Sequence, residues 1–240
     1  MANELQFVKF ARRGNPYLGA IINEVVDSPW WDLPFVTEGW DAATTSTVTA
    51  PGGFCSSWAP VKGTHAFAQA TGAAQPGYLN GVFTFDGLAQ FMATGAFTLN
   101  QPSVFLLAIK QLTWTSSDEI LDGNSANTAV VQQFGGSPKL NIYAGTDLTQ
   151  ATGNLAIGAR GIVVVTFNGG SSSIQVNLNA ATSGNAGAAN AGGMTLGAGA
   201  GGTAFGNFEC YGIGRCVATL SAGETAQAVN SMGAAYGVPL

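Results

Sequence analysis

The sequence predicts an all-β protein: a two-sheet antiparallel β-sandwich closed by a short C-terminal helix. Three observations carry this. From Tyr78 onward, short apolar or alternating segments recur with turn residues between them. Gly supplies 34 of the 240 residues, more than a helical protein tolerates. Only 9% of residues are charged, which leaves too little Glu, Lys and Arg for a coiled coil or a charged helical bundle. The 14 Phe, 5 Trp and 5 Tyr are enough for a core, so charge-driven disorder is excluded as well.

The elements follow in chain order. Residues 1–30 lack a clear period, because Gly14, Pro16 and Gly19 interrupt any helix. They read as an ordinary first strand or as an arm that docks on a neighbouring subunit. We take them as an assembly arm, with Phe7, Phe10, Arg12, Arg13 and Tyr17 as its contact residues, followed by a single domain over 31–240. Residues 30–76 are aromatic and turn-rich. Val82–Asp86 is a strand, and Ser103–Ile109 is an apolar run expected of a strand covered on both faces. Strands are expected at Thr128–Phe134 and Leu140–Ala144. Ile162–Phe167 ends at Asn168-Gly169-Gly170, a hairpin signal, and its partner is Ser172–Asn179, where Ile174, Val176 and Leu178 alternate with polar residues. Residues 180–204 are almost all Gly, Ala, Ser, Thr and Asn, and read as a long loop around a short strand at Met194–Gly197. A last strand spans Asn207–Val217. Ser221-Ala222-Gly223-Glu224 is a capping box that starts a helix with Ala226, Val229, Met232 and Tyr236 on one face, stopped by Gly237 and Pro239.

A net charge of -5 with no basic cluster argues against nucleic acid as a partner. No apolar run approaches the roughly 20 residues of a membrane helix. The N-terminus has no apolar core of the secretory type, so synthesis and folding in the cytoplasm are expected. Cys55, Cys210 and Cys216 are odd in number, and the last two lie about 20 Å apart along an extended strand, so buried free thiols are expected, with a link from Cys55 to one of the others as the alternative.

The ordered landmarks resemble the laminin-G-like, concanavalin A-like jelly-roll family over roughly residues 38–238. They are Trp40-Asp41, Trp58, the Gln69–Pro76 segment, Val82-Phe83-Thr84-Phe85-Asp86-Gly87, Val104-Phe105 with Leu121-Asp122-Gly123, Val165–Gly169 followed by Val176-Asn177, Leu196-Gly197, and Leu220-Ser221 with Glu224 and Tyr236-Gly237. The closing strand departs from the pattern, lacking the usual acidic residue midway. The resemblance implies binding of glycans or proteins, as in modules of phage and bacterial surface proteins. With the arm and the low charge, it leads to the expectation of a non-enzymatic structural protein of a tailed-phage virion. Such a protein would be a head decoration, fibre or tail accessory, homo-oligomeric, and bound to capsid or tail proteins. The alternative is a glycan-binding module that recognises a host surface, with Trp114, Trp30 and Trp31 as the stacking residues.

No catalytic residue is expected. Hydrolases related to the fold carry closely spaced carboxylates on one strand, and no E-x-D-x-x-E is present. The densest acidic group, Asp118, Glu119 and Asp122, reads as a solvated turn before Ile120, with Asp118 and Glu119 pointing to opposite faces. His65 is the single His, so neither a triad nor a zinc site is expected. No cofactor is expected. Calcium is the one metal the resemblance leaves open, with hard oxygens at Asp122, Asn124 and Asp147 but no D-x-D-x-D-G loop.

Overall fold

A computed structural model describes residues 29–240. Seventeen strands appear in it: β1 (Glu38–Asp41), β2 (Val48–Thr49), β3 (Ser57–Trp58), β4 (Phe67–Ala68), β5 (Gly77–Leu79), β6 (Val82–Asp86), β7 (Met92–Ala93), β8 (Ser103–Gln111), β9 (Glu119–Asp122), β10 (Val130–Gln133), β11 (Leu140–Tyr143), β12 (Asp147–Thr149), β13 (Arg160–Phe167), β14 (Ser172–Val176), β15 (Thr182–Gly184), β16 (Thr195–Leu196) and β17 (Asn207–Cys216). The helix α1 (Ala222–Tyr236) follows. An eight-stranded sheet runs β15-β14-β13-β8-β17-β6-β5, with β1 also paired to β17. A nine-stranded sheet runs β12-β11-β10-β9-β16-β7-β4-β3-β2. The protein is an all-β two-sheet antiparallel sandwich with one C-terminal helix.

The apolar runs mark strands buried on both sides. In β8, Phe105, Leu107 and Ile109 enter the core between the sheets, while Val104, Leu106 and Ala108 enter a second core under α1. In β13, Val163, Val165 and Phe167 face the first core and Ile162 and Val164 the second. This two-sided burial is why these strands show no polar alternation. The helix begins at its capping box: Ser221 Oγ accepts from the Glu224 amide at 3.3 Å, and Glu224 Oε2 accepts from the Ser221 amide at 2.8 Å. It ends at Gly237 in the left-handed conformation, φ 62°. Val229, Met232 and Tyr236 are buried as the spacing predicts. Ala228 joins them, and Ala226 is only half-buried.

Tyr236 ties the helix to the chain entry. Its hydroxyl accepts from Trp30 Nε1 at 2.8 Å and donates to Asp41 Oδ1 at 3.0 Å. Trp30 is therefore part of the sandwich, although the sequence boundary put it with the arm. The arm residues Phe7, Phe10, Arg12, Arg13 and Tyr17 lie outside the described residues. Leu178 departs from its expected alternation: β14 stops at Val176, Asn177 takes φ 52°, and Leu178 is half exposed. The three cysteines are free and buried.

Candidate functional site

The acidic group before Ile120 is not a solvated turn. Glu119 and Asp122 are the end residues of β9, 8% and 0% exposed. Simple alternation would send residues three apart to opposite faces. A register shift between β9 and β10 prevents this: Leu121 faces Val131, but Glu119 faces Gln132, so Ile120 is an extra residue. Ile120 and Leu121 both enter the core. Glu119 and Asp122 consequently share the outer face of the nine-stranded sheet. Asp122 is level there with Thr195, and Glu119 with Gln132.

Glu119 begins a row of polar side chains across this face. Gln132 is in register with Asn141, and Asn141 with Thr149. Gln132 Nε2 donates to Asn141 Oδ1 and Asn141 Nδ2 to Thr149 Oγ1, both at 3.0 Å. Glu119 Oε2 is buried without a hydrogen-bond partner. Asp122 is the opposite case: its carboxylate accepts from the backbone N–H groups of Gly123, Asn127, Thr128, Ala129 and Ala200. Burial, reinforced by the charge of Asp122, pushes the Glu119 carboxyl up to about 8. Burial also raises the Asp118 carboxyl. A carboxyl kept protonated beside a hydrogen-bonded carboxylate is the arrangement of a proton donor.

A glycine-rich segment closes over both acids. Gly199 lies on Glu119, where a Cβ at position 199 would stand 3.1 Å from each carboxyl oxygen, and the Ala200 N–H is 3.1 Å from Asp122 Oδ2. Beyond them, Gly202 (φ 78°) packs on Phe91, where a Cβ would stand 3.0 Å from the ring. The Phe91 and Phe205 ring centroids are 6.2 Å apart.

A second titratable group closes one end of the core. Glu38 accepts from Arg215 Nε at 2.9 Å and lies 2.6 Å from His65 Nδ1. Burial opposes its charge, but the Thr64 N–H, His65 and Arg215 outweigh burial and lower the carboxyl. The His65 ring stacks on Phe97 with centroids 3.8 Å apart. Among the described residues, no Ser or Cys nucleophile is bonded to His65, and no cluster of three or more acidic, His or Cys ligands is formed. A cleft of about 390 Å³ lies on the eight-stranded sheet beside the start of α1. Val164, Thr166, Ser173, Gln175, Leu220 and Thr225 are among its lining, which holds no titratable group, so it offers no acid or base.

Of the tryptophans expected to stack on a sugar, Trp30 is buried at 2% exposure with its ring against Tyr236, and has no free face. Trp31 is half-buried, edge-on to Trp30 at 5.5 Å. Trp114 is half-buried on the loop leading to β9, and its Nε1 donates to Lys139 O at 3.3 Å. That places it beside the β10–β11 turn, at the end of the nine-stranded sheet where the polar row lies. The hard oxygens weighed for calcium do not converge: Asp122 is taken up by backbone donors, while Asn124 and Asp147 are exposed on separate loops or strands. The bulge at Ile120 is what sequence reasoning missed. It leaves no composition signal, and only the mismatch between Ile120-Leu121 and strict alternation hints at it.

No protein-family model matches the chain, and no curated protein matches it in sequence. Solved structures do resemble it. Trypanosoma rangeli sialidase superposes with a TM-score of 0.62 at 12% identity, over 82% of this chain and 33% of that one. The same enzyme in complex with sialic acid gives 0.61 at 12%, over 86% and 34%. A GH54 α-L-arabinofuranosidase soaked with a cyclic sulfate inhibitor gives 0.58 at 12%, over 76% and 51%. The chain thus spans about a third of the sialidase and half of the arabinofuranosidase. At this identity the likeness establishes the sandwich fold. It also corrects the functional expectation. These similar structures are glycoside hydrolases and none of this links the chain to a phage, so the expectation of a non-enzymatic virion protein is overturned. The reading of the acidic group as a solvated turn falls with it, because the bulge buries Glu119 and Asp122 on one face, a pair the sequence reasoning did not weigh.

Proposed function

We propose that the protein is a carbohydrate-active β-sandwich. The outer face of its nine-stranded sheet takes a glycan around Glu119, and Glu119 delivers a proton to the glycosidic oxygen as the bond breaks; water then adds its hydroxyl to the sugar carbon and its proton returns to the Glu119 carboxylate. The observation that carries this reading is the Glu119 carboxyl, more than nine-tenths buried, with one oxygen unpartnered, on the same face as Asp122. Asp122, held by the backbone N–H groups of Gly123, Asn127, Thr128 and Ala129, supplies fixed negative charge facing the positive charge that builds on the sugar ring. Gln132 and Thr149, both half-buried, supply an amide and a hydroxyl for sugar hydroxyls, held in place by the buried Asn141 between them, with Trp114 at the rim. The similar hydrolases support carbohydrate as the ligand class.

The test is release of reducing ends from a panel of neutral and sialylated glycans by the full chain and by Glu119→Gln. The near-isosteric amide cannot donate the acid proton, so release should fall by about 100-fold or more. Release undiminished in Glu119→Gln contradicts the proton-donor role, and glycan binding without release by the unsubstituted chain does so as well.

A further inference from the structure

The closed state of segment 199–204 is at odds with a glycan reaching Glu119. Gly199 touches the carboxyl, and Gly202 covers the Phe91 ring. The ties of the segment to the sheet lie at its ends: Gly197 donates to Ile120 O, Gly206 to Gly197 O, and the Glu119 amide to Ala204 O. Between those ends, its hydrogen bonds are internal (Gly199 to Thr203 O and Gly202 to Gly199 O) except for Ala200 N–H to Asp122. The middle can therefore lift while the base stays paired. Lifting it would uncover the Phe91 ring, whose neighbour Phe205 is bridged to Glu119 along the backbone.

We propose that segment 199–204 is a lid over a sugar subsite in which Phe91 and Phe205 form the ring platform and Glu119 and Asp122 the polar groups. The latch is the single hydrogen bond from Ala200 to Asp122. The ligand is an uncharged sugar. Its apolar ring face suits the aromatic platform. An anionic sugar would meet two carboxyls, and among the described residues no Lys or Arg pairs with either; the ion pairs present are Lys110 with Glu209, and Arg215 and His65 with Glu38. The choice of ligand rests on the carbohydrate reading above, whereas the lid motion does not.

Hydrogen exchange of the full chain, followed by mass spectrometry, separates the two. Peptides over 199–204 should exchange at least about tenfold faster than those of β9. Gly199→Ala, which presses a methyl group on the Glu119 carboxyl at a position of ordinary backbone, should speed that exchange further. Neutral arabino-oligosaccharides should slow it, and sialyllactose at the same concentration should not. Phe91→Ala should weaken arabino-oligosaccharide binding about tenfold, and Phe91→Tyr, which keeps the ring, should restore it. Exchange at 199–204 as slow as in β9 overturns the lid, whatever sugar is bound. Rapid exchange that no neutral sugar slows overturns the subsite. So does equal protection by sialyllactose.

Discussion

Glu119 is protonated in the folded chain up to about pH 8, whereas its ordinary carboxyl ionises near 4.5. Between these values the folded state holds a proton that the unfolded state has lost. This contribution to stability is therefore complete below about pH 4.5 and disappears as pH rises through 8. Urea denaturation of the full chain and of Glu119→Gln at pH 5 and pH 9 should show the unsubstituted protein losing on the order of 3 kcal/mol relative to the variant. An unchanged difference between the two pH values would mean that the acid is charged at neutrality. Glu38 works in the opposite sense: its carboxyl is lowered, so its contribution is lost as pH falls. The comparison with the variant is what isolates Glu119. Tyr236 allows a second test at this scale. Tyr236→Phe leaves Trp30 Nε1 without its partner and Asp41 Oδ1 with only the Ala43 amide, and thermal or chemical unfolding should report a loss of about 1–3 kcal/mol.

At the scale of elements, the helix is the best-declared part of the sequence. Ser221 and Glu224 form both bonds of the capping box, and Ser221→Ala should cost about 1 kcal/mol in chemical denaturation. The long strands β8 and β13 were equally legible, because double burial leaves nearly uninterrupted apolar runs and Asn168-Gly169-Gly170 marks the hairpin. The candidate site was not. β9 has four residues, two of them acidic, and acidic residues near Gly and Ser suggest a turn. What makes it a strand is pairing on both sides, with β10 and β16, and these partners lie in other parts of the chain. The placement of Glu119 depends on one extra residue, Ile120, whose position is set by the neighbouring strand rather than by any local preference. For the same reason His65, Glu38 and Arg215 could not be read as a group. They meet because β1 pairs with β17, far apart in sequence.

Across the whole molecule, low charge and the sandwich fold explain each other. Outward positions on the nine-stranded sheet are filled by amides and hydroxyls such as Gln132, Asn141 and Thr149, which bond to one another across strands. The inner positions form a continuous apolar core that also encloses Cys55 and Cys210, while Cys216 lies under the helix. Burial raises the Cys55 thiol to about 11 and the Cys216 thiol to about 12, and that of Cys210 rises too. A thiol-reactive dye should label none of the three in the native protein and all three once guanidinium unfolds it. Rapid labelling of the native chain would mean that the sandwich opens far more readily than its packing implies.

The measurement closest to the functional reading is a carbon-13 NMR titration of the Glu carboxyls in the full chain, with and without arabino-oligosaccharide. One carboxyl should titrate near pH 8, be absent in Glu119→Gln, and shift when the sugar is added. If every Glu carboxyl titrates at or below the ordinary range near 4–5 and none responds to sugar, Glu119 is neither the acid nor the site.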